Sequence, residues 1–70
     1  MYTIKSTSPE GEYYLVNHWN RFKAFWVTKD RLNNDMLFKR EQDAKASLTK
    51  LLEVMPEYKT DEFEIIQMGR

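Results

Sequence analysis

Apolar and polar residues alternate early in the chain with the two-residue period of a half-buried strand. Tyr2 and Ile4 alternate with Thr3 and Lys5, which predicts a first strand over residues 2–5. The stretch that follows is rich in proline, glycine and small hydroxyl residues, which favour turns. We therefore predict that the first strand enters a hairpin.

Aromatic and β-branched residues dominate the next two stretches and predict a second strand over residues 12–17 and a third over residues 22–28. Residues 18–21 form a short polar connection between them. A cluster of turn-forming residues follows at 30–35, and residues 36–38 predict a short fourth strand. The second and third strands are apolar on both faces, so both faces need cover.

Beyond Arg40 the apolar residues recur at spacings of three and four, which predicts a helix that Pro56 ends. Residues 62–68 predict a closing strand. The stripe of the helix consists of Ala44, Leu48, Leu51, Leu52 and Met55. We therefore predict a single α+β domain over residues 1–70, with the order β-β-β-(β)-α-β. An antiparallel sheet of three to five strands carries the helix on one face.

One helix covers one face of such a sheet and leaves the second face open. This second face has four alternative covers: a loop of the same chain, a second copy of the chain, another protein, or stacked bases. A homodimer is thus one expectation.

Six of the ten aromatic residues fall between Tyr13 and Trp26. The same region is basic although the chain has a formal net charge of zero, whereas residues 51–70 are mainly acidic. Tryptophan, tyrosine and arginine dominate the energetics of protein interfaces. The expected partner-binding residues are Trp19, Arg21, Phe22, Lys23 and Trp26.

The alternative function is binding of single-stranded nucleic acid, in which rings stack on bases and cations follow the phosphates. The residues expected to act in this way are Tyr14, Trp19, Arg21, Lys23, Trp26, Lys29 and Arg31. The zero net charge and the missing RNA-binding signature make nucleic acid the weaker of the two hypotheses.

The sequence does not assemble a catalytic or metal site, so no enzyme, cofactor or metal is expected. His18 is the single histidine and has no obvious helper, and the Ser-x-x-Lys spacing of Ser47 and Lys50 lacks its companion motifs. We interpret the acidic residues around 57–64 as a solvated edge. The chain has no cysteine and no apolar run of the length that crosses a bilayer, so we expect a cytoplasmic protein without membrane contact.

The chain resembles the short, uncharacterised proteins encoded by bacteriophages and prophages. The features that carry the resemblance are the early strand, the helix entry with Phe38, Glu41 and Ala44, and the return strand from Phe63 to Met68. This resemblance implies a protein that binds and modulates a larger host or viral component. The expected function is therefore a non-enzymatic interaction protein.

Overall fold

The computed structural model describes residues 1–69, and in these residues one α-helix packs on a four-stranded antiparallel sheet. The strands are β1 (Tyr2–Ser8), β2 (Gly11–Leu15), β3 (Trp26–Val27) and β4 (Glu62–Gln67), the helix is α1 (Glu41–Val54), and short 3₁₀ turns cover Lys29–Arg31, Asn34–Met36 and Pro56–Thr60. The strand order is β3-β2-β1-β4. The predicted α+β fold is confirmed.

The main core lies between the sheet and α1. On the central strand β1, Ile4 is directly opposite Leu15 of β2 and Ile65 of β4. Ile4 and Leu15 are fully buried, as are Ala44 and Leu51 on the apolar stripe of the helix. The helix forms because this stripe buries its apolar area against the sheet, and it ends one residue before Met55, at the Pro56 boundary.

The first hairpin turns later than the sequence predicts. Strand β1 continues to Ser8, and the reversal takes place at Pro9 and Glu10, with Ser8 paired to Gly11. Gly11 has a φ of +136°, which side-chain-bearing residues rarely adopt. The turn prediction started too early because Ser6, a turn-favouring residue by type, is buried within the strand.

The third strand is much shorter than predicted. Only Trp26 and Val27 pair with β2, opposite Leu15 and Tyr14. The preceding residues form a loop that closes on itself through the bridge between Asn20 and Lys23. Pairing beyond Trp26 is therefore reduced to a 2.9 Å hydrogen bond from the Val16 amide to the Phe25 carbonyl.

The predicted fourth strand is reduced to a single bridge. Phe38 exchanges two backbone hydrogen bonds of 2.7 Å with Tyr2, and the Asn17 amide donates to the carbonyl of Met36 at 2.9 Å. The pairing of β1 with β2 stops at Ile4, so the segment around Phe38 enters the space where the two strands diverge.

This segment also covers part of the second face of the sheet. Thr3, Tyr14, Val16 and Leu37 are buried but lie outside the core cluster that faces α1. Leu37 precedes the bridged Phe38 and therefore falls on the same side of the sheet as Thr3. A loop of the same chain is thus the cover at this end of the second face.

Charged residues occupy the other end of that face. Lys5 forms ion pairs of 3.7 Å with both Glu12 and Glu64. Paired charges of this kind are compatible with water, so this end needs no cover.

Candidate functional site: an exposed aromatic and basic loop

Residues 18–25, which we call the 18–25 loop, are fixed to the domain through Trp19. The Trp19 ring is half-buried against the main core. Its Nε1–H donates a 2.8 Å hydrogen bond to Oγ of Ser47 on α1. The ring and its polar edge both face the protein, so Trp19 serves as an anchor of the loop.

The tip of the loop is organised by Asn20. Its side-chain Oδ1 accepts hydrogen bonds from the amides of Phe22 at 2.8 Å and Lys23 at 2.9 Å. The backbones of Asn20 and Lys23 also form a bridge. Asparagine favours turns through such bonds to the backbone ahead of it. This turn places Arg21 and Phe22 at its two central positions.

The tip presents apolar rings and cations side by side. The Phe22 side chain is 86% exposed and that of Phe25 is 40% exposed. The Arg21 guanidinium carbon lies 5.9 Å from the Phe22 ring centroid, and the Lys23 amine nitrogen lies 5.8 Å from that of Phe25. Both distances are within the range of cation–π attraction. The two cations therefore extend across the rings, and the loop contains no acidic residue.

His18 lies at the base of the same loop, with its ring 6.2 Å from that of Phe25. Its Nδ1 is 2.9 Å from Oδ1 of Asn17. The side-chain Nδ2 of Asn17 donates to the carbonyls of Asp35 and Leu37. The side-chain Oδ1 of Asn17 is therefore the acceptor of the histidine hydrogen bond, and His18 Nδ1–H is the donor. The histidine partner is an amide and not a carboxylate.

Trp26 lies apart from the exposed rings. Its Nε1–H donates to the Tyr58 hydroxyl at 3.2 Å, and the two ring centroids are 5.5 Å apart. Phe63 lies on β4 with its ring centroid 6.4 Å from that of Trp26. Trp26 therefore contributes to the packing of the sheet on its helix side.

The expected partner-binding residues thus separate into two groups. Arg21, Phe22 and Lys23 are exposed together at the tip, whereas Trp19 and Trp26 are half-buried and hydrogen-bonded. Phe25 belongs to the exposed surface and was missed, because alternation along the predicted strand placed it on the face opposite Phe22 and Trp26. The turn-forming Asn20, two residues before Phe22, was the signal that could have revealed the loop.

The residues of the nucleic-acid hypothesis are also dispersed. Tyr14 is only 6% exposed and lies on the covered second face, so its ring is not available for stacking on a base. Lys29 and Arg31 are exposed in the 3₁₀ turn Lys29–Arg31. A hydrogen bond from the Thr28 hydroxyl is the main reason that the pKa of Asp30, between them, lies below its usual range.

The remaining candidate chemistry is not assembled. Ser47 accepts the Trp19 hydrogen bond, and Lys50 is exposed on the helix. Within residues 1–69, no group of three or more histidine, cysteine or carboxylate side chains is placed to hold a metal ion. No helix in this part of the chain is long and apolar enough to cross a membrane.

Comparison with protein-family models, curated proteins and solved structures finds no match to this chain.

Proposed function

We propose that the protein is a small, non-enzymatic interaction protein that binds and modulates a larger protein in the cytoplasm, with the 18–25 loop as its binding element. The observation that carries this proposal is the exposure of Phe22 on a hydrogen-bonded turn. Burying a phenylalanine side chain contributes about 1.5–3 kcal/mol. The intramolecular fold does not use this energy, so it is available for binding.

The partner surface that fits the loop is an apolar pocket with a carboxylate rim. Phe22 would enter the pocket, while Arg21 and Lys23 on either side of it in sequence would face the carboxylates. Complementary charge accelerates association and selects the partner more than it raises the affinity. An acidic protein surface is therefore the partner that this loop would find first.

The turn also limits the entropy lost on binding. Asn20 already holds the amides of Phe22 and Lys23 in place, so the backbone needs little further ordering. A single loop covers less area than the roughly 800 Å² per partner of a standard interface. The expected complex is therefore a transient one, which suits a protein that modulates a larger component, as the resemblance to small phage-encoded proteins also implies.

The test compares two loop variants with one matched control. F22A removes the exposed ring, and R21E/K23E reverses the charge at the tip. K45E/K59E reverses the same number of charges at exposed positions on α1 and the 3₁₀ turn Pro56–Thr60. Each protein is immobilised and exposed to a lysate of the cells that express it, and retained proteins are identified by mass spectrometry.

A partner recovered in this way is then purified and titrated against each variant at two salt concentrations. F22A should weaken the affinity about ten- to a hundredfold, as expected from the energy of burying one ring. R21E/K23E should slow association most at low salt, and K45E/K59E should bind like the wild type. Equal binding by F22A and the wild type would contradict the proposal.

Two controls separate the alternatives. Nuclease treatment of the lysate and titration with a fluorescent oligonucleotide test the nucleic-acid hypothesis, because phosphate contacts lose affinity as salt rises. Light scattering tests the homodimer. If retention depends on nucleic acid, nucleic acid is the ligand of the loop in place of the proposed protein partner. If the protein is a dimer that F22A dissociates, a second copy of the chain is the partner.

A further inference from the structure

A separate cleft of about 260 Å³ opens beside the β1–β2 hairpin and shares no residue with the 18–25 loop. Three aromatic residues from different parts of the chain form its walls: Tyr13, Trp26 and Tyr58. Buried Ser6 also lines the cleft and lies directly opposite Tyr13 in the sheet.

The rings around the cleft are held in place by contacts within the fold. The planes of Trp26 and Tyr58 are inclined at 57°, and the hydrogen bond from the indole to the Tyr58 hydroxyl joins their edges. Phe63 lies against Trp26 with its ring plane within 24° of the indole plane. These contacts hold the Trp26 and Tyr58 rings in a fixed arrangement at the edge of the cleft.

The charged side chains that line the cleft are acidic. Glu10 and Asp61 line it, and Asp61 Oδ2 accepts a 3.4 Å hydrogen bond from the Ser6 hydroxyl. An adjoining groove of about 360 Å³ shares Ser8, Glu10, Tyr58 and Asp61 with the cleft and adds Pro9 and Glu57. None of the described residues that line the two cavities is a lysine or arginine.

We infer that this cleft binds an alkylammonium group of the kind that a lysine side chain carries. The face of an aromatic ring attracts cations, and recognition of ammonium ligands by several rings is the best-known use of this attraction. The carboxylates of Glu10 and Asp61 add Coulombic attraction and would repel an anion. The volume is below the ~300 Å³ at which pockets for drug-sized ligands begin, so a head group fits better than a large ligand.

The adjoining groove indicates what the ammonium group is attached to. A peptide chain that follows the lysine would leave the cleft on the side of Glu57, where the surface remains acidic. This inference does not depend on the 18–25 loop, because the two sites share no residue and have opposite charge.

The binding test uses the indole N–H signals in a two-dimensional nitrogen–proton NMR spectrum. The chain has two tryptophans. Trp26 lines the cleft, and Trp19 is outside it and serves as an internal control. The probes are Nα-acetyl-lysine methylamide, n-butylammonium chloride and, as the uncharged analogue, Nα-acetyl-norleucine methylamide.

The two ammonium probes should shift the Trp26 signal saturably, with dissociation constants on the order of 1 mM, and should leave Trp19 unchanged. The norleucine probe should have no effect at the same concentrations. Tighter binding of the lysine probe than of butylammonium would assign the site to a peptide, and equal binding would assign it to a free amine. Both results support the ammonium site.

Variants test which groups of the cleft are responsible. Y13L removes one ring, and D61N removes one charge while retaining an acceptor for Ser6. Each should weaken lysine-probe binding about three- to tenfold. E53Q removes one exposed charge from α1 and should bind normally.

The D61N result stands by itself if Y13L does not fold. The inference is overturned if neither ammonium probe shifts Trp26 saturably, if norleucine produces the same shift, or if D61N binds like the wild type.

Discussion

Replacing Trp19 by alanine should destabilise the fold, whereas replacing the neighbouring exposed Phe22 by alanine should not. Alanine substitution of a fully buried tryptophan costs about 3–5 kcal/mol. Trp19 is half-buried, so we expect a loss of about 2 kcal/mol from the free energy of unfolding. The F22A change should remain within about 0.5 kcal/mol, because the ring is almost fully exposed.

A double-mutant cycle isolates the hydrogen bond from the packing. W19F removes the indole N–H, and S47A removes its acceptor at 2.8 Å. The net contribution of such a bond is about 0.5–1.5 kcal/mol, and S47A alone should lower the free energy of unfolding by this amount. In a domain of this size each kcal/mol corresponds to a decrease of about 4–8 °C in the melting temperature. The coupling between W19F and S47A should equal the same 0.5–1.5 kcal/mol.

The measurement is urea unfolding followed by circular dichroism, because the substitutions change tryptophan fluorescence directly. A domain of 70 residues is expected to have about 4–10 kcal/mol of stability, so every variant in the cycle should still fold. The reasoning is refuted if W19A is as stable as the wild type, or if F22A is destabilised as much as W19A. The first result would mean that Trp19 is available to a partner, as the sequence pattern alone indicates, and the second would mean that Phe22 is packed within the fold.

Three further substitutions test particular local features. N20A should lower stability by about 1 kcal/mol and speed hydrogen exchange at the Phe22 amide, because this amide loses its acceptor whereas the Lys23 amide keeps the Asn20 carbonyl; unchanged exchange at Phe22 would argue against the turn. G11A should cost about 1–3 kcal/mol in urea unfolding, because an alanine is strained at a φ of +136°, and a wild-type midpoint would exclude that geometry. T28V should raise the pKa of Asp30 toward its usual value in an NMR titration. The lowered pKa favours the folded state at neutral pH, and this stabilisation is lost as the pH falls through the pKa of Asp30 in the folded state. T28V should therefore make stability less dependent on acid pH. An unchanged pKa of Asp30 in T28V would mean that groups other than the Thr28 hydroxyl cause the shift.

The helix and the last strand could be predicted because their signals are local. The apolar spacing before Pro56 and the alternation around Phe63 each reflect burial on one face of one element, and both elements are present in the structure. The third strand could not be predicted in the same way. The β propensity of Phe22 and Phe25 was overridden by the side-chain hydrogen bonds of Asn20, which favour a closed turn.

The aromatic and basic segment does carry exposed rings, but the sequence alone could not show which of its rings are exposed and which are packed against the fold. The indole of Trp19 bonds to a residue 28 positions away, and that of Trp26 to one 32 positions away. Which ring is exposed depends on these distant partners, and no local pattern encodes them. The cleft around Tyr13 escaped notice for the same reason, since its walls come together only in the folded sheet.

The position of β1 between β2 and β4 constrains the order in which the chain can fold during synthesis. The hairpin with β2 joins neighbouring residues and can form early, whereas the other edge of β1 pairs with Glu62–Gln67. Until that strand has left the ribosome, the central strand has an open hydrogen-bonding edge beside the fully buried Ile4, which is the type of surface that promotes aggregation of nascent chains. Completion of the sheet is therefore a late step with high contact order. Ribosomal pausing before residue 62 would prolong the exposure of this edge.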